Sequence, residues 1–300
     1  MERLSKPRHH FFFGFHRSFT FRRQFYTAVC ILVLALSACT TGSAKRHYIV
    51  AEKLWSDGKY EAAVDEFEQV IRRDPDGEFG RKALFRAAMT EMIFLQRYVD
   101  ALFKFQSFVE KSLPSSVHQW SAQVSIGEIF YTHLRRYRRA IRHYQYLVEH
   151  HPNKKDVPQF LYRIARSHFF LWNFDESIAV YEKLIARYPE SEFVEKAEYE
   201  IGMSLFTSGE QTPGGHGPGM KVYQQAIQQF QSFIRKYPES NYRVQAQFGI
   251  AACLEEMDQL QQAYEQYQKI ESIYPSPNVV KIKLIRIQER LAQRARPKRK

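Results

Sequence analysis

Residues 174–189 read FDESIAVYEKLIARYP, and within them Phe174, Ser177, Tyr181 and Pro189 stand 3, 4 and 8 apart. The same spacing returns as Tyr60, Ala63, Phe67, Pro75, as Tyr137, Ala140, Tyr144, Pro152, and as Tyr223, Ala226, Phe230, Pro238. Leu260, Ala263, Tyr267, Pro275 make another copy, and Tyr98, Ala101, Phe105, Pro114 follow the pattern with one extra residue before the proline. On a helix of 3.6 residues per turn, a large residue, a small one three on and an aromatic four further share one face. The small residue admits a neighbouring helix, and the aromatics fill the space on either side. The proline ends the helix, because it has no N–H to give and clashes with the preceding turn. A further helix lies upstream of each copy, as in Phe160-Leu161-Tyr162-Arg163-Ile164-Ala165. Its small residue (Ala51, Ala165, Ala251) precedes the opening residue by nine in three repeats.

Together these positions resemble the tetratricopeptide repeat, a helix pair whose copies bury their apolar faces only against each other. Successive copies start 38, 39, 37, 49 and 37 residues apart, so each exceeds the usual 34-residue period. The resemblance implies an all-α, right-handed tetratricopeptide-repeat solenoid of about six helix pairs, with a concave surface made by the first helices. A capping helix is expected at the C-terminal end, where Val280, Leu284, Ile287 and Leu291 form an apolar stripe. Lys283, Arg286, Arg290 and Arg294 line another face of that helix and read as a wet, basic face and tail, with contact to anionic lipid or another acidic partner as the alternative. The 49-residue step comes from residues 207–219 (TSGEQTPGGHGPG), expected as a loop insertion. It is not a phosphate-binding loop, since no strand precedes it and no Lys-Ser/Thr follows.

The N-terminal 38 residues have the grammar of an export signal. A basic region ends in Arg22-Arg23, an apolar run covers 28–36 (AVCILVLAL), and Leu36-Ser37-Ala38 leads to Cys39. This boundary resembles the lipobox of bacterial lipoproteins, in which the cysteine is acylated and the chain is cut before it. The resemblance makes Cys39 the site of an S-diacylglycerol and N-acyl modification, with palmitate-type chains as the only expected cofactor-like group. Two or three acyl chains hold a protein at a membrane where one holds only marginally. Arg22-Arg23-Gln24-Phe25 faintly resembles a twin-arginine signal, although the strongly apolar run suits the general secretory route. The expected organisation is 1–38 signal, 39–46 lipidated tether, 47–280 repeat solenoid and 281–300 basic cap and tail. Thr40, unlike an Asp there, favours the outer membrane by resemblance to enterobacterial sorting.

The formal net charge is +12, but it belongs to the ends. Residues 1–38 carry +5 and 281–300 carry +8, while 39–280 carry −1. A nucleic-acid face would put the excess within the folded body, so nucleic acid is not an expected partner. Of the three cysteines, Cys30 leaves with the signal and Cys39 takes lipid, which leaves Cys253 for buried packing and no internal disulfide. No metal set or catalytic constellation assembles, so an enzyme is not expected. Arg135, Arg136, Arg138 and Arg139 flank Tyr137 as the densest basic cluster of the body. They read as a solvated helix-turn rim, with contact to an acidic peptide, peptidoglycan or a lipid headgroup as the sharper alternative.

A lipobox followed by these repeats resembles the BamD family of outer-membrane lipoproteins. Tyr188-Pro189-Glu190-Ser191 and Tyr237-Pro238-Glu239-Ser240, each leading into a helix with Ile201-Gly202 or Gly249-Ile250, strengthen the likeness. The family implies an outer-membrane scaffold on the periplasmic face, anchored by lipid, whose partners are β-barrel insertase subunits or other envelope proteins. The chain departs from it in carrying six copies where those proteins typically have five, and in the place of its insertion. The same linkers occur in CpoB-like coordinators of peptidoglycan and Tol–Pal machinery, which is the alternative reading.

Overall fold

A computed structural model describes residues 42–211 and 218–295. Among them there is no strand, and the helices alternate as the repeat demands. They are α1 (42–56) and α2 (Tyr60–Arg73), α3 (Glu78–Thr90) and α4 (Tyr98–Lys111), α5 (Gln119–Glu128) and α6 (Tyr137–His150). There follow α7 (Val157–Phe170) and α8 (Phe174–Arg187), α9 (Phe193–Gln211) and α10 (Pro218–Lys236), α11 (Arg243–Glu256) and α12 (Leu260–Ile270), and finally α13 (Pro277–Ala295). Six helix pairs and a cap are therefore the architecture of the described residues. The chain divides into two compact units at Gln123/Val124.

The repeat positions explain why these helices pack. The small residues Ala63, Ala101, Ala140, Ser177, Ala226 and Ala263 and the aromatics Phe67, Phe105, Tyr144, Tyr181, Phe230 and Tyr267 are all completely buried. Of the opening residues, Phe174, Tyr223 and Leu260 are buried, whereas Tyr60, Tyr98 and Tyr137 remain partly exposed. Every second helix ends before its proline: α2, α6, α8 and α10 two residues short of Pro75, Pro152, Pro189 and Pro238, α4 three short of Pro114 and α12 five short of Pro275.

Two of the first helices carry an extra residue. α3 and α5 continue into single π turns, Glu91–Leu95 and Ile129–His133. The corresponding small residues Ala88 and Gly127 accordingly precede Tyr98 and Tyr137 by ten positions, where Ala51 precedes Tyr60 by nine. A π turn absorbs one inserted residue without breaking the helix. Gly127 lies against the ring of Tyr144, where a Cβ would overlap it.

In the first unit, Ala44, Ala51, Ala63, Phe67, Val70, Ala83 and Ala87 form a core, with Tyr48, Trp55 and Phe79 packed on it. In the second, consecutive helices from α6 to α13 pack in order, and α9 also touches α7 and α11. Phe230 lies between two glycines there. A Cβ on Gly202 would come 2.5 Å from its Cε1, and one on Gly249 2.6 Å from its Cε2. The glycines of Ile201-Gly202 and Gly249-Ile250 are thus the two walls of one aromatic slot.

The capping helix is built as its stripe suggests, with Val280, Leu284 and Ile287 buried and Leu291 packed beside them. Its basic face is partly solvated, as the sequence suggests, but it also has a structural role that the sequence reading did not foresee. Lys283, Arg286 and Arg290 converge on Glu255 of α11, a carboxylate only 1% exposed, and Arg290 and Arg294 pair with Asp258. A buried carboxylate needs compensating charge, and this helix face supplies it. Burial alone would raise the Glu255 carboxyl; the hydrogen bonds from Arg286 and Lys283 and their charges outweigh it and hold it below the usual range. The 207–219 insertion also differs from expectation. Thr207–Gln211 continue α9 and Pro218–Gly219 open α10, because no proline interrupts the helix before Pro213.

Candidate partner-binding surfaces

The first helices are tied to one another by ion pairs. In the first unit, Arg86 of α3 holds Glu52 of α1 through Nε at 2.7 Å and a second guanidinium nitrogen at 2.9 Å. In the second, Arg163 of α7 pairs with Glu128 of α5 and donates to the Tyr144 hydroxyl at 2.7 Å. Arg166 pairs with Glu200 of α9, which also accepts from the Tyr162 hydroxyl at 3.1 Å. Burial first, and the Glu200 charge second, push the Tyr162 phenol far above its ordinary value, so it remains a donor at any physiological pH. These pairs join side chains of successive first helices, which makes them structural connectors between repeats.

The ends of the first helices carry a different chemistry. Among the described residues, the turns into α2, α4, α6, α8 and α12 each contain a left-handed residue: Gly58 (φ 75°), Gln96 (53°), Arg135 (48°), Trp172 (64°) and Asp258 (62°). Glycine takes this conformation freely and a bulky side chain does not. Around these turns, aromatic and arginine side chains cluster. In the first unit, Tyr60 stacks on Phe94 (4.0 Å between centroids), Trp55 meets Phe94 edge-on, and Arg86 lies 4.4 Å from the Trp55 ring. The second unit repeats the arrangement, with Tyr137 stacked on Phe170 at 4.7 Å and Arg166 lying 5.0 Å from the Phe170 ring. Tyr60 and Tyr137, read from sequence as packing positions, are therefore members of surface edges.

A groove of about 600 Å³ lies between α10 and α12. Gln224, Gln228 and Gln231 form one wall and Gln259, Gln262, Glu265 and Gln266 the other, over a floor of Ile227, Ile250, Leu254 and Met257. Six amides offer both donors and acceptors beside the single carboxylate of Glu265, a lining suited to polar groups such as peptide backbone.

The remaining residues singled out in the sequence fall as follows. Leu36, Ser37, Ala38 and Cys39 lie outside the described residues. Arg135, Arg136, Arg138 and Arg139 are all exposed and pair with no carboxylate among the described residues; Arg139 lies 5.9 Å from the Phe130 ring. Cys253 is completely buried, and burial pushes its thiol up to about 12. Among the described residues, no group of three or more His, Cys, Asp or Glu is placed to hold a metal. None of the described helices is long and apolar enough to cross a membrane. Sequence reasoning missed the glutamine groove, although its i, i+4, i+7 spacing on α10 was visible, and the exposed Phe170–Trp172 turn, whose signal is a tryptophan where Gly58 stands in the first repeat.

Comparison with known proteins follows the same lines. The sequence profile of a family described as outer membrane lipoprotein (YfiO) matches residues 131–259. Two tetratricopeptide-repeat profiles match residues 45–76 and 245–277. No curated protein matches the sequence. Among solved structures, the C-terminal part of a repeat-containing protein from Cytophaga hutchinsonii is 20% identical, with a TM-score of 0.55, over 82% of this chain and 86% of its own. PilW, described as a widely conserved type IV pilus biogenesis factor, is 13% identical with a TM-score of 0.48, over 79% of this chain and 98% of its own. YrrB, described as having an unusual peptide-binding site, is 14% identical with a TM-score of 0.46, over 69% and 96%. The Cytophaga protein and this chain share the tetratricopeptide-repeat fold. The chain is thus a repeat scaffold similar to outer-membrane lipoproteins.

Proposed function

We propose that this protein is a lipid-anchored periplasmic adaptor serving outer-membrane β-barrel assembly in the manner of BamD. The observation that carries the reading is the match of residues 131–259 to an outer-membrane lipoprotein family, in a chain whose residues 36–39 read Leu-Ser-Ala-Cys. The acylated Cys39 holds the repeats at the periplasmic face of the outer membrane, and the repeats bind insertase subunits or their unfolded clients. The contribution is positional. Tetratricopeptide scaffolds act by presenting surfaces, and here the aromatic edges and the glutamine groove are the surfaces on offer.

The anchoring is tested by fractionating cells that express the wild-type chain or Cys39→Ser. The wild-type protein is expected with the outer membrane and the variant in the soluble periplasm or retained unprocessed. Equal recovery of a processed variant with the outer membrane would remove the lipid from the account. The CpoB-like reading is favoured by the unpaired Arg135–Arg139 cluster, which suits the acidic stem peptides of peptidoglycan. It makes sedimentation with isolated cell wall the distinguishing result.

A further inference from the structure

Trp172 is the exposed tryptophan of the turn between α7 and α8. It is 61% exposed and sits at φ 64°, in the turn where the first repeat has Gly58. A left-handed backbone is strained for a non-glycine residue, and an indole left largely in water, with an edge contact to the Phe174 ring, recovers little of that by burial. The corresponding turns are left-handed at Gln96, Arg135 and Asp258 as well, so the repeat sets this backbone; among these residues Trp172 alone places a large apolar side chain there and leaves it exposed. Phe170, two residues earlier, is 38% exposed and is held from beneath by the Tyr137 ring. Immediately before Tyr137 come Arg135, itself left-handed, and Arg136, both exposed. Arg138 and Arg139 follow on the first turn of α6, and no carboxylate occurs between Glu128 and Glu149. Asp175 and Glu176 open α8 beyond Trp172, so the two adjoining turns still present four arginines against two carboxylates.

We infer that this edge is a membrane-contacting surface, in which Trp172 and Phe170 enter the headgroup region of an anionic phospholipid bilayer and Arg135 and Arg136 engage its phosphates. The chemistry fits at each residue. Tryptophan and tyrosine settle at bilayer interfaces because the ring is apolar and its polar atom stays wet. Arginines near an anionic surface add attraction and lay their stems along it. Trp172 lies in the turn between α7 and α8, and Phe170 is the last residue of α7. The contact would fix the orientation of the second unit at a membrane independently of the acyl chains, and it requires no particular protein partner.

The test uses the chain from Thr40 onward, which keeps every described helix and lacks the acylated position, with vesicles of phosphatidylethanolamine containing phosphatidylglycerol. The expected result is binding that weakens with salt. Arg135→Ser/Arg136→Ser should lower partitioning at least about tenfold. Trp172→Gly should lower it about as much while leaving the melting temperature equal or higher, since glycine suits the turn. Trp172→Gly binding like wild type overturns the proposal, and so does a lower melting temperature accompanying any loss, which would make the indole a packing residue. Binding to soluble polyglutamate with the same mutational losses, but no binding to vesicles, would assign the edge to an acidic peptide and overturn it equally.

Discussion

Phe230→Ala is expected to destabilise the second unit by about 3–5 kcal/mol, the usual range for truncating a fully buried phenylalanine. The ring has no exposed surface, and its walls are Gly202 of α9 and Gly249 of α11. Neither wall has a side chain that can move into the vacated volume, so the cavity stays open and the cost falls at the high end. The loss also couples three helices, because α10 contacts α9 and α11 through this residue. Urea unfolding gives the magnitude, and hydrogen exchange should show α9, α10 and α11 losing protection together. A loss below about 1 kcal/mol would mean that the slot collapses and that the glycines are not its walls.

Lys283→Met/Arg286→Met is expected to cost about 3 kcal/mol at neutral pH, the low end for stripping a buried carboxylate of its partners. The low end applies because both cations are partly exposed and solvent screens them, and because Arg290 remains 3.8 Å from Glu255. The pH dependence should change sign with the mutation. In the parent protein, the Glu255 carboxyl is held below its unfolded value. Its contribution is therefore present above the ordinary carboxylate range and lost as pH falls through the folded value. In the double variant, burial is left to raise the carboxyl, so acidification should restore stability before general acid unfolding begins. Glu255→Gln in the double-variant background should recover part of the loss at neutral pH. A double variant as stable as its parent would show that Glu255 finds its compensation elsewhere.

The repeat was legible because its packing residues recur at fixed spacing, and spacing is what a helix face reads out. The small and second aromatic positions, from Ala63 and Phe67 to Ala263 and Tyr267, are completely buried. The opening position was less legible. Whether Tyr60 or Leu260 is buried depends on what the next helix brings against it, and Tyr60 meets Phe94 at the surface. The π turns were present only as an offset of ten in place of nine. The basic stripe on the capping helix reads as solvated because its partner, Glu255, lies 28 residues before Lys283 and on another helix. For the surfaces, composition marked the arginine cluster, but exposure and backbone conformation were needed to set Trp172 apart from a packing aromatic.

The most direct measurement of the central claim is affinity purification of the full-length, tagged protein from gently crosslinked envelopes, followed by identification of what accompanies it. The account predicts subunits of the β-barrel insertase, present with the wild-type chain and depleted with Cys39→Ser. Recovery of Tol–Pal or cell-wall synthesis proteins, with no insertase subunit, would contradict it and leave only the architecture in common with the barrel-assembly lipoproteins.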